Sequence, residues 1–213
     1  MKLAVKFADY LCDLIGPSPK KPLFTDHPLA EEAFVKLYQL FLLNPDLSEK
    51  DFPGVRYEKY LDLAKFWIDQ RGKNHGEECF SEYQMADIPF LERKEIAGHA
   101  VISALLCAGI TSVAMTEDNA VYREAAKRLW ESAVYRKLYL TGGAGTGKGG
   151  EGFGPDFDLP EDGYMESCAA VAMGFWHHNM NLLFGEARYV DELERVLYNG
   201  ALVGVSLDGR KYF

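Results

Sequence analysis

The chain has 213 residues, of which 48% are hydrophobic and 13% aromatic, so it can bury the core of one domain or of two small ones. Its net charge of -9 and pI near 5.1 argue against a nucleic-acid-binding surface, because phosphate binding needs clustered Lys and Arg. No run reaches the roughly 20 apolar residues of a membrane span, and Asp9 and Asp13 interrupt the N-terminal stretch where a signal peptide would be apolar. We therefore expect a cytoplasmic protein whose partners are neither nucleic acids nor membranes.

Seven segments have the spacing of apolar residues that predicts α-helices: 3–15, 28–43, 54–71, 93–115, 118–136, 165–185 and 188–204. Only Lys137 to Thr141 has the composition of a short strand. The sequence therefore predicts an all-α protein. Its cysteines, Cys12, Cys79, Cys107 and Cys168, are widely spaced without a CxxC pair, which predicts neither a disulfide framework nor a self-contained zinc finger.

Apolar and charged helices alternate along the chain. The segments 28–43, 93–115 and 165–185 are mostly apolar, whereas the segments between them share a weak repeat, as in YLDLAKFWI, YREAAKRLW and YVDELERVL, and carry many charges. A helix that is apolar on most sides is buried, and one with a charged face borders solvent. This alternation predicts an inner and an outer helix layer, which is the architecture of an α/α toroid.

The longest connections precede the inner helices, at 16–27, 72–92 and 137–164. If successive hairpins alternate in direction, these three loops lie at the same end of the toroid. Long loops on one rim of a rigid scaffold commonly carry the functional residues. Aromatic side chains in them, including Tyr83 and Phe153, could pack against sugar rings or simply anchor the loops.

Two histidines lie where such loops meet inner helices. Pro28 suits the first position of a helix, which makes His27 the expected N-cap with its ring toward the rim. His99 is expected within the second inner helix, among small residues that leave space beside the imidazole. Each has an ordinary alternative: His27 as a surface histidine in a turn, and His99 as a core histidine bonded to a carbonyl.

The stretch from Thr141 to Gly163 is rich in glycine and then in carboxylates. General acid/base chemistry needs a carboxyl group held by a structured loop, although a solvated loop has the same composition. Gly142 to Gly149 nearly matches the phosphate loop GxxxxGK[ST], which makes a nucleotide-binding protein one rival. Gly149 stands where that motif needs Ser or Thr after Lys148, and the next residues cannot begin a helix.

Glu166 and Cys168 stand at the start of the third inner helix. A carboxylate and a thiol two residues apart at a helix entrance can chelate one metal ion, but zinc needs about two more ligands. The alternative is a carboxylate that favours the helix dipole beside a buried small thiol.

The run YLTGGAGTGKGGEGFGPDFDLPEDGYMESCAA resembles glycoside hydrolase family 127, whose members share the succession TGG, GE, DxDLP and YxESCA. The segments DHPLAEEAFVKLY, YLDLAKFWIDQRG, GHAV and ARYVDELERVLYNGALVGVSLDGRKYF extend the resemblance over almost the whole chain. It implies a six-hairpin α/α barrel and β-L-arabinofuranosidase activity on a carbohydrate substrate.

The resemblance also implies residue roles. Glu151 matches the acid/base glutamate, Glu166 and Cys168 match two zinc ligands, and His27 and His99 match histidines that line the sugar pocket. A zinc-bound cysteine thiolate is the family's proposed nucleophile, which gives retention of configuration through a thioglycosyl intermediate.

The chain also departs from the family. The family's remaining zinc ligands are an adjacent cysteine pair downstream of SLDG, and residues 1–213 contain no such pair. A toroid of six hairpins needs about twelve helices, so seven predict part of one α/α-barrel domain, truncated at both ends, whose exposed apolar faces favour self-association. The family's HxPVRxQ segment is altered around Asp87 and Arg93, and Ile102 replaces the arginine after GHAV, so the sugar is left open. The non-enzymatic rival is a helical carbohydrate-binding or scaffold protein.

Overall fold

The computed structural model describes residues 1–73, 81–145 and 150–212. Within these ranges the chain forms seven α-helices, and its extended backbone makes only isolated β-bridges. The helices are α1 (Lys2–Leu14), α2 (Ala30–Leu43), α3 (Glu58–Gln70), α4 (Ala100–Glu117), α5 (Ala120–Arg136), α6 (Ser167–Phe184) and α7 (Ala187–Val196). The prediction of an all-α protein is confirmed.

Helix α4 is the centre of the fold. It packs between α2 and α6 and also contacts α3 and α5, while α2, α4 and α6 each pack against the helix that follows them. Every residue from Ala100 to Ala114 is buried, as expected for a helix with neighbours on all sides. The predicted alternation is therefore confirmed, with α2, α4 and α6 in an inner layer and α1, α3, α5 and α7 outside.

In the described ranges, α4 alone is long and apolar enough to cross a membrane by length and composition. Its apolar window is 83% buried inside the protein. The central helix of a two-layer fold has the same length and composition, so the apolar run is explained by its place in the core.

Three tryptophans are part of the core. Trp67, Trp130 and Trp176 are all buried, and Trp130 packs edge-on against Tyr189 with ring centroids 4.6 Å apart. The indole nitrogen of Trp130 donates to Nδ1 of His177 at 2.8 Å. His177 is therefore a core residue of α6, whereas His178 is exposed on the same helix.

The connections leaving the inner helices α4 and α6 are short, and each begins with a residue in the left-handed conformation, Asp118 (φ 50°) and Gly185 (φ 68°). The connections that enter α4 and α6, at 71–99 and 137–166, are the longest, whereas the connections that enter and leave α2, at 15–29 and 44–57, are of similar length. Contacts between the three connections that enter inner helices, described below, place all three at one rim, as the sequence predicted.

All three predicted helix starts at this rim are wrong, and the third inner helix begins at Ser167 rather than at residue 165. The second inner helix begins at Ala100 rather than at residue 93, because Gly98 has φ 75° and His99 is extended, so neither continues a helix. The first begins at Ala30 rather than at Pro28, because residues 28–29 form a turn in which the Leu29 amide donates to the His27 carbonyl. His27 is therefore not the N-cap.

The strand predicted at Lys137–Thr141 is also wrong. The Gly142 amide donates to the Tyr139 carbonyl and the Tyr139 amide donates to the Gly143 carbonyl, which closes a turn. A strand needs a partner for its backbone groups, and here the chain folds back on itself instead.

Helix α6 has an exposed apolar stripe. Val171, Phe175 and Leu182 recur at helical spacing on one face and are 48%, 41% and 55% exposed. We call these three residues the α6 stripe.

Candidate functional site at the rim of the inner helices

Glu151 is held against the start of α4. The Ala100 amide donates to the Glu151 carbonyl at 3.0 Å, and the Phe153 amide donates to the Gly98 carbonyl at 2.9 Å. This short antiparallel pairing brings His99 beside the carboxylate, with Nε2 3.6 Å from Oε2. His99 is buried at the N-cap of α4, so the expectation that it lies inside the helix is corrected by one position.

Gly98 allows this close approach. A Cβ atom at position 98 would lie 2.2 Å from the Glu82 carbonyl oxygen, and the backbone there has φ 75°. Only glycine fits both constraints. The turn around Glu82 can therefore press against the start of α4.

Tyr83, in that turn, contacts both candidate residues. Its hydroxyl donates to Glu151 Oε2 at 2.6 Å, and its carbonyl accepts from the His99 amide at 2.9 Å. The ring centroids of Tyr83 and His99 are 5.0 Å apart. The bond to the Glu151 carboxylate raises the pKa of Tyr83 to about 12, so the hydroxyl keeps its proton at neutral pH.

His27 approaches the site from the first rim loop. Its Nδ1 lies 2.8 Å from Asp26 Oδ2, and its ring is edge-on to that of His99 with centroids 5.6 Å apart. The side chain is 53% exposed. His27 thus has the exposure expected of a surface histidine together with the position expected of a rim residue.

Buried Arg71 ties two of the rim loops together. Its guanidinium donates to the carbonyls of Thr25 and Asp26 in the first loop and, at 2.7 Å, to that of Gln84 in the second. The segments that carry His27 and Tyr83 are therefore held by one cation.

The third loop is anchored in a similar way by Lys137. This ammonium is buried and donates to the Gly154 carbonyl at 2.9 Å, with Glu95 at 3.1 Å and Asp156 at 3.4 Å. The acidic stretch around Glu151 is therefore a structured loop, and the alternative of a freely solvated loop is not what the structure shows.

Glu166 and Cys168 lie at the start of α6, with Glu166 at the N-cap. The Glu166 side chain makes no capping bond, and its Oε2 is buried without a hydrogen-bond partner among the described residues. The Cys168 thiol is exposed, and its hydrogen bond to the Glu166 carboxylate, more than its partial burial, raises its pKa. Glu166 thus makes no capping bond, but its carboxylate still lies at the positive end of α6, so the helix-dipole alternative stands beside the metal-ligand prediction.

A carboxylate oxygen without a donor beside an accessible thiol suits a soft divalent cation. In the part of the chain that the structure describes, no three His, Cys, Asp or Glu side chains are grouped as a metal site. Zinc therefore stays a prediction. Cys79 and residues 146–149, with Lys148 of the phosphate-loop rival, lie outside the described residues.

The nucleotide-binding rival also requires a helix directly after its glycine-rich loop. Residues 150–166 form turns and bends, and the next helix begins at Ser167. Among the described residues that follow the loop, none forms the helix that this motif needs.

The five residues predicted from the sequence lie at the same rim. His27, His99 and Glu151 contact one another in series, and Glu166 and Cys168 occupy the next helix start. Their chemical roles stay predictions. Sequence reasoning missed the bonds of Tyr83, Arg71 and Lys137, which join residues far apart in the chain or end on backbone carbonyls.

Two concentric helix layers with loops gathered over the starts of the inner helices define a protein of the α/α-toroid class. A family profile described as β-L-arabinofuranosidase, GH127 catalytic domain, matches residues 1–213. The chain belongs to this family, and the predicted resemblance and fold class are confirmed.

Individual relatives agree. The chain is 34% identical over 233 residues to the non-reducing end β-L-arabinofuranosidase of Bifidobacterium longum subsp. longum, covering 100% of this chain and 33% of that protein. A solved GH127 β-arabinofuranosidase matches with 37% identity and a TM-score of 0.85, over 100% of this chain and 31% of its own. A GH127 β-L-arabinofuranosidase from Geobacillus stearothermophilus T6 matches with 33% identity and a TM-score of 0.86, over 100% and 34%. The chain spans about a third of the length of these relatives.

Proposed function

We propose that the chain forms part of a retaining glycoside hydrolase that removes β-L-arabinofuranose or a similar sugar from the non-reducing end of a carbohydrate. Membership of the GH127 family supports the reaction class. The observation that carries the proposal for this chain is the placement of Glu151, whose backbone is paired with the start of α4 and whose carboxylate faces His99 and Tyr83.

In this proposal Glu151 is the general acid/base. A carboxylic acid in this role protonates the departing glycosidic oxygen and later takes a proton from the attacking water. In the proposal the ring nitrogens of His99 and His27 contact sugar hydroxyls. The buried His99 is held by the carbonyl of Glu151, 3.3 Å from Nδ1, and the half-exposed His27 borders solvent.

Glu166 and Cys168 would hold zinc. When bound, zinc keeps a coordinated thiol deprotonated at neutral pH. Without a cation, the hydrogen bond from the Cys168 thiol to the Glu166 carboxylate raises the pKa of the thiol. The attacking thiolate of the family has no counterpart in residues 1–213, so Glu166 and Cys168 are proposed only as ligands. A cytoplasmic location is also part of the proposal.

The test compares p-nitrophenyl β-L-arabinofuranoside with its α-anomer, using the protein expressed at the natural length of its gene. We expect turnover of the β-anomer with retention, seen by NMR of the first product. With an alkyl β-L-arabinofuranoside, whose leaving oxygen needs a proton, Glu151→Gln should lower kcat by about 10²- to 10⁴-fold, the usual contribution of acid/base catalysis. The control is Glu161→Gln, an exposed carboxylate of the same loop.

Metal content gives a second readout. Glu166→Gln and Cys168→Ser should each lower the zinc that copurifies with the protein, measured by mass spectrometry of the metal. Unchanged zinc content in both variants would show that Glu166 and Cys168 are not zinc ligands.

In the turnover assay, sugar binding without any turnover would favour the carbohydrate-binding alternative.

A further inference from the structure

Tyr83 makes a bond that the proposed reaction does not itself require. Its hydroxyl donates to one oxygen of the Glu151 carboxylate, Oε2, at 2.6 Å, although 68 residues separate the two positions. The other oxygen, Oε1, makes no hydrogen bond to any residue that the structure describes. The two carboxylate oxygens are therefore distinguished by the protein.

The position of Tyr83 is fixed by its backbone. The turn Glu82–Gln84 begins with a capping box in which Ser81 and Gln84 bond to each other, and it ends at Met85 in the left-handed conformation (φ 54°). Arg71 donates to the carbonyl of Gln84, and the carbonyl of Tyr83 accepts from the amide of His99. These contacts remain when the hydroxyl is removed, so Tyr83→Phe should change the bond to Glu151 and little else.

We propose that Tyr83 is a positioning residue for Glu151: its hydroxyl holds Oε2 so that Oε1 faces the departing glycosidic oxygen. This inference rests on the proposed acid/base function of Glu151. A carboxyl group bound at one oxygen loses rotation about its terminal torsion, which is otherwise broad. The proton given to the leaving oxygen comes from Glu151, and Tyr83 keeps its own.

The negative charge that Glu151 gains as it gives up its proton supports this arrangement. As Glu151 releases its proton it becomes a carboxylate, and a hydrogen bond to a carboxylate is stronger than one to the neutral acid. The donor for that charge is already in place at 2.6 Å. The high pKa of Tyr83, about 12, means that the hydroxyl stays a donor throughout the working range of pH.

The decisive measurement compares leaving groups in the protein expressed at the natural length of its gene. A positioned acid matters most when the leaving oxygen is a poor leaving group, because a good one departs without a proton. We expect Tyr83→Phe to lower kcat about tenfold for an alkyl arabinofuranoside, to change that for the p-nitrophenyl substrate by less than about twofold, and to leave KM unchanged.

The matched control is Tyr60→Phe, which removes a hydroxyl-to-carboxylate bond of the same length, 2.6 Å to Asp9, between outer helices. It should lower kcat for neither substrate. The positioning role is wrong if Glu151→Gln selectively slows the alkyl substrate but Tyr83→Phe slows both substrates equally or slows neither. If Glu151→Gln does not slow the alkyl substrate, the acid/base assignment of Glu151 is itself wrong.

A measurement without turnover tests the contact alone. In protein carrying ¹³C-labelled tyrosine, Tyr83 should titrate near pH 12 in the unmodified protein, and Glu151→Gln should lower its pKa toward the ordinary value of 10. A Tyr83 pKa that Glu151→Gln leaves unchanged would show that the bond is absent and would overturn the proposal.

Discussion

Replacing Arg71 by Met should destabilise the protein more than almost any other single change at the rim. Arg71 is fully buried, and burial lowers its pKa to about 10, so the side chain is still charged at neutral pH. Its guanidinium satisfies carbonyls of Thr25, Asp26 and Gln84. Met fills a similar volume but leaves these acceptors without a donor.

The expected loss of unfolding free energy follows from the groups that Arg71→Met leaves without a partner. The nearby Glu31 is also fully buried, and burial raises its pKa while its bond from Thr25 and the charge of Arg71 lower it. Hydrogen bonds to a charged group contribute about 1.5 to 3 kcal/mol each, so losing the Arg71 bonds to the Thr25 and Gln84 carbonyls, together with its favourable charge near Glu31, should cost about 3 to 5 kcal/mol. That is a large part of the roughly 5 to 15 kcal/mol by which domains are stable.

The assay is urea unfolding followed by the helical circular dichroism signal. With an m-value of about 2 kcal/mol per molar urea, Arg71→Met should lower the midpoint by about 2 M. The exposed Arg56→Met is the control for loss of a positive charge. The double variant of Arg71→Met with Glu31→Gln should lose less unfolding free energy than the two single variants lose in sum, by about 1 kcal/mol or more. A loss below about 1 kcal/mol for Arg71→Met would refute this reasoning.

Three further outcomes are expected. Burial lowers the pKa of His177 to about 3, so between about pH 6.5 and 3 the unfolded chain binds a proton at His177 and the folded chain does not. The unfolding free energy should therefore fall by about 1 kcal/mol for each pH unit as the pH decreases through this range. His177→Asn should make the urea midpoint less dependent on pH. Gly98→Ala should lower the unfolding free energy by more than 2 kcal/mol, about twice the loss for the control Gly54→Ala. Both glycines have positive φ, but a Cβ atom at position 98 would meet the Glu82 carbonyl, whereas one at position 54 would meet nothing within 4 Å. Equal losses in the two variants would argue against the clash. Phe175→Glu, in the α6 stripe, should reduce self-association in sedimentation velocity, and a wild-type chain that sediments as a monomer would contradict that expectation.

The two helix layers could be predicted because buried helices are apolar in composition and helices that border solvent are charged. A helix such as α4, apolar on every side, belongs in the centre of a two-layer helical fold, and the charged face of α5 marks the outside. Boundaries were harder. The apolar pattern of α4 extends back to Ile96, but the backbone turns at Gly98, which periodicity does not register.

The site could be predicted only where residue types carry a family pattern. Glu151, Glu166 and Cys168 stand in such a run, and their rim position followed from loop lengths. Tyr83 and Lys137 could not be found this way. The Tyr83 bond to Glu151 depends on how two distant loops meet, and Lys137 has a backbone acceptor, which any residue type supplies.

The start of α4 links helix formation to the geometry of the candidate site. The first amides of any helix lack partners within the helix and must be satisfied from outside. Here the amide of His99 binds the carbonyl of Tyr83, and the amide of Ala100 binds the carbonyl of Glu151. The residues that satisfy the helix start are therefore the acid/base candidate and its hydrogen-bond donor. A substitution that disturbs this junction should displace both together, whereas one elsewhere on α4 should change stability without changing their separation.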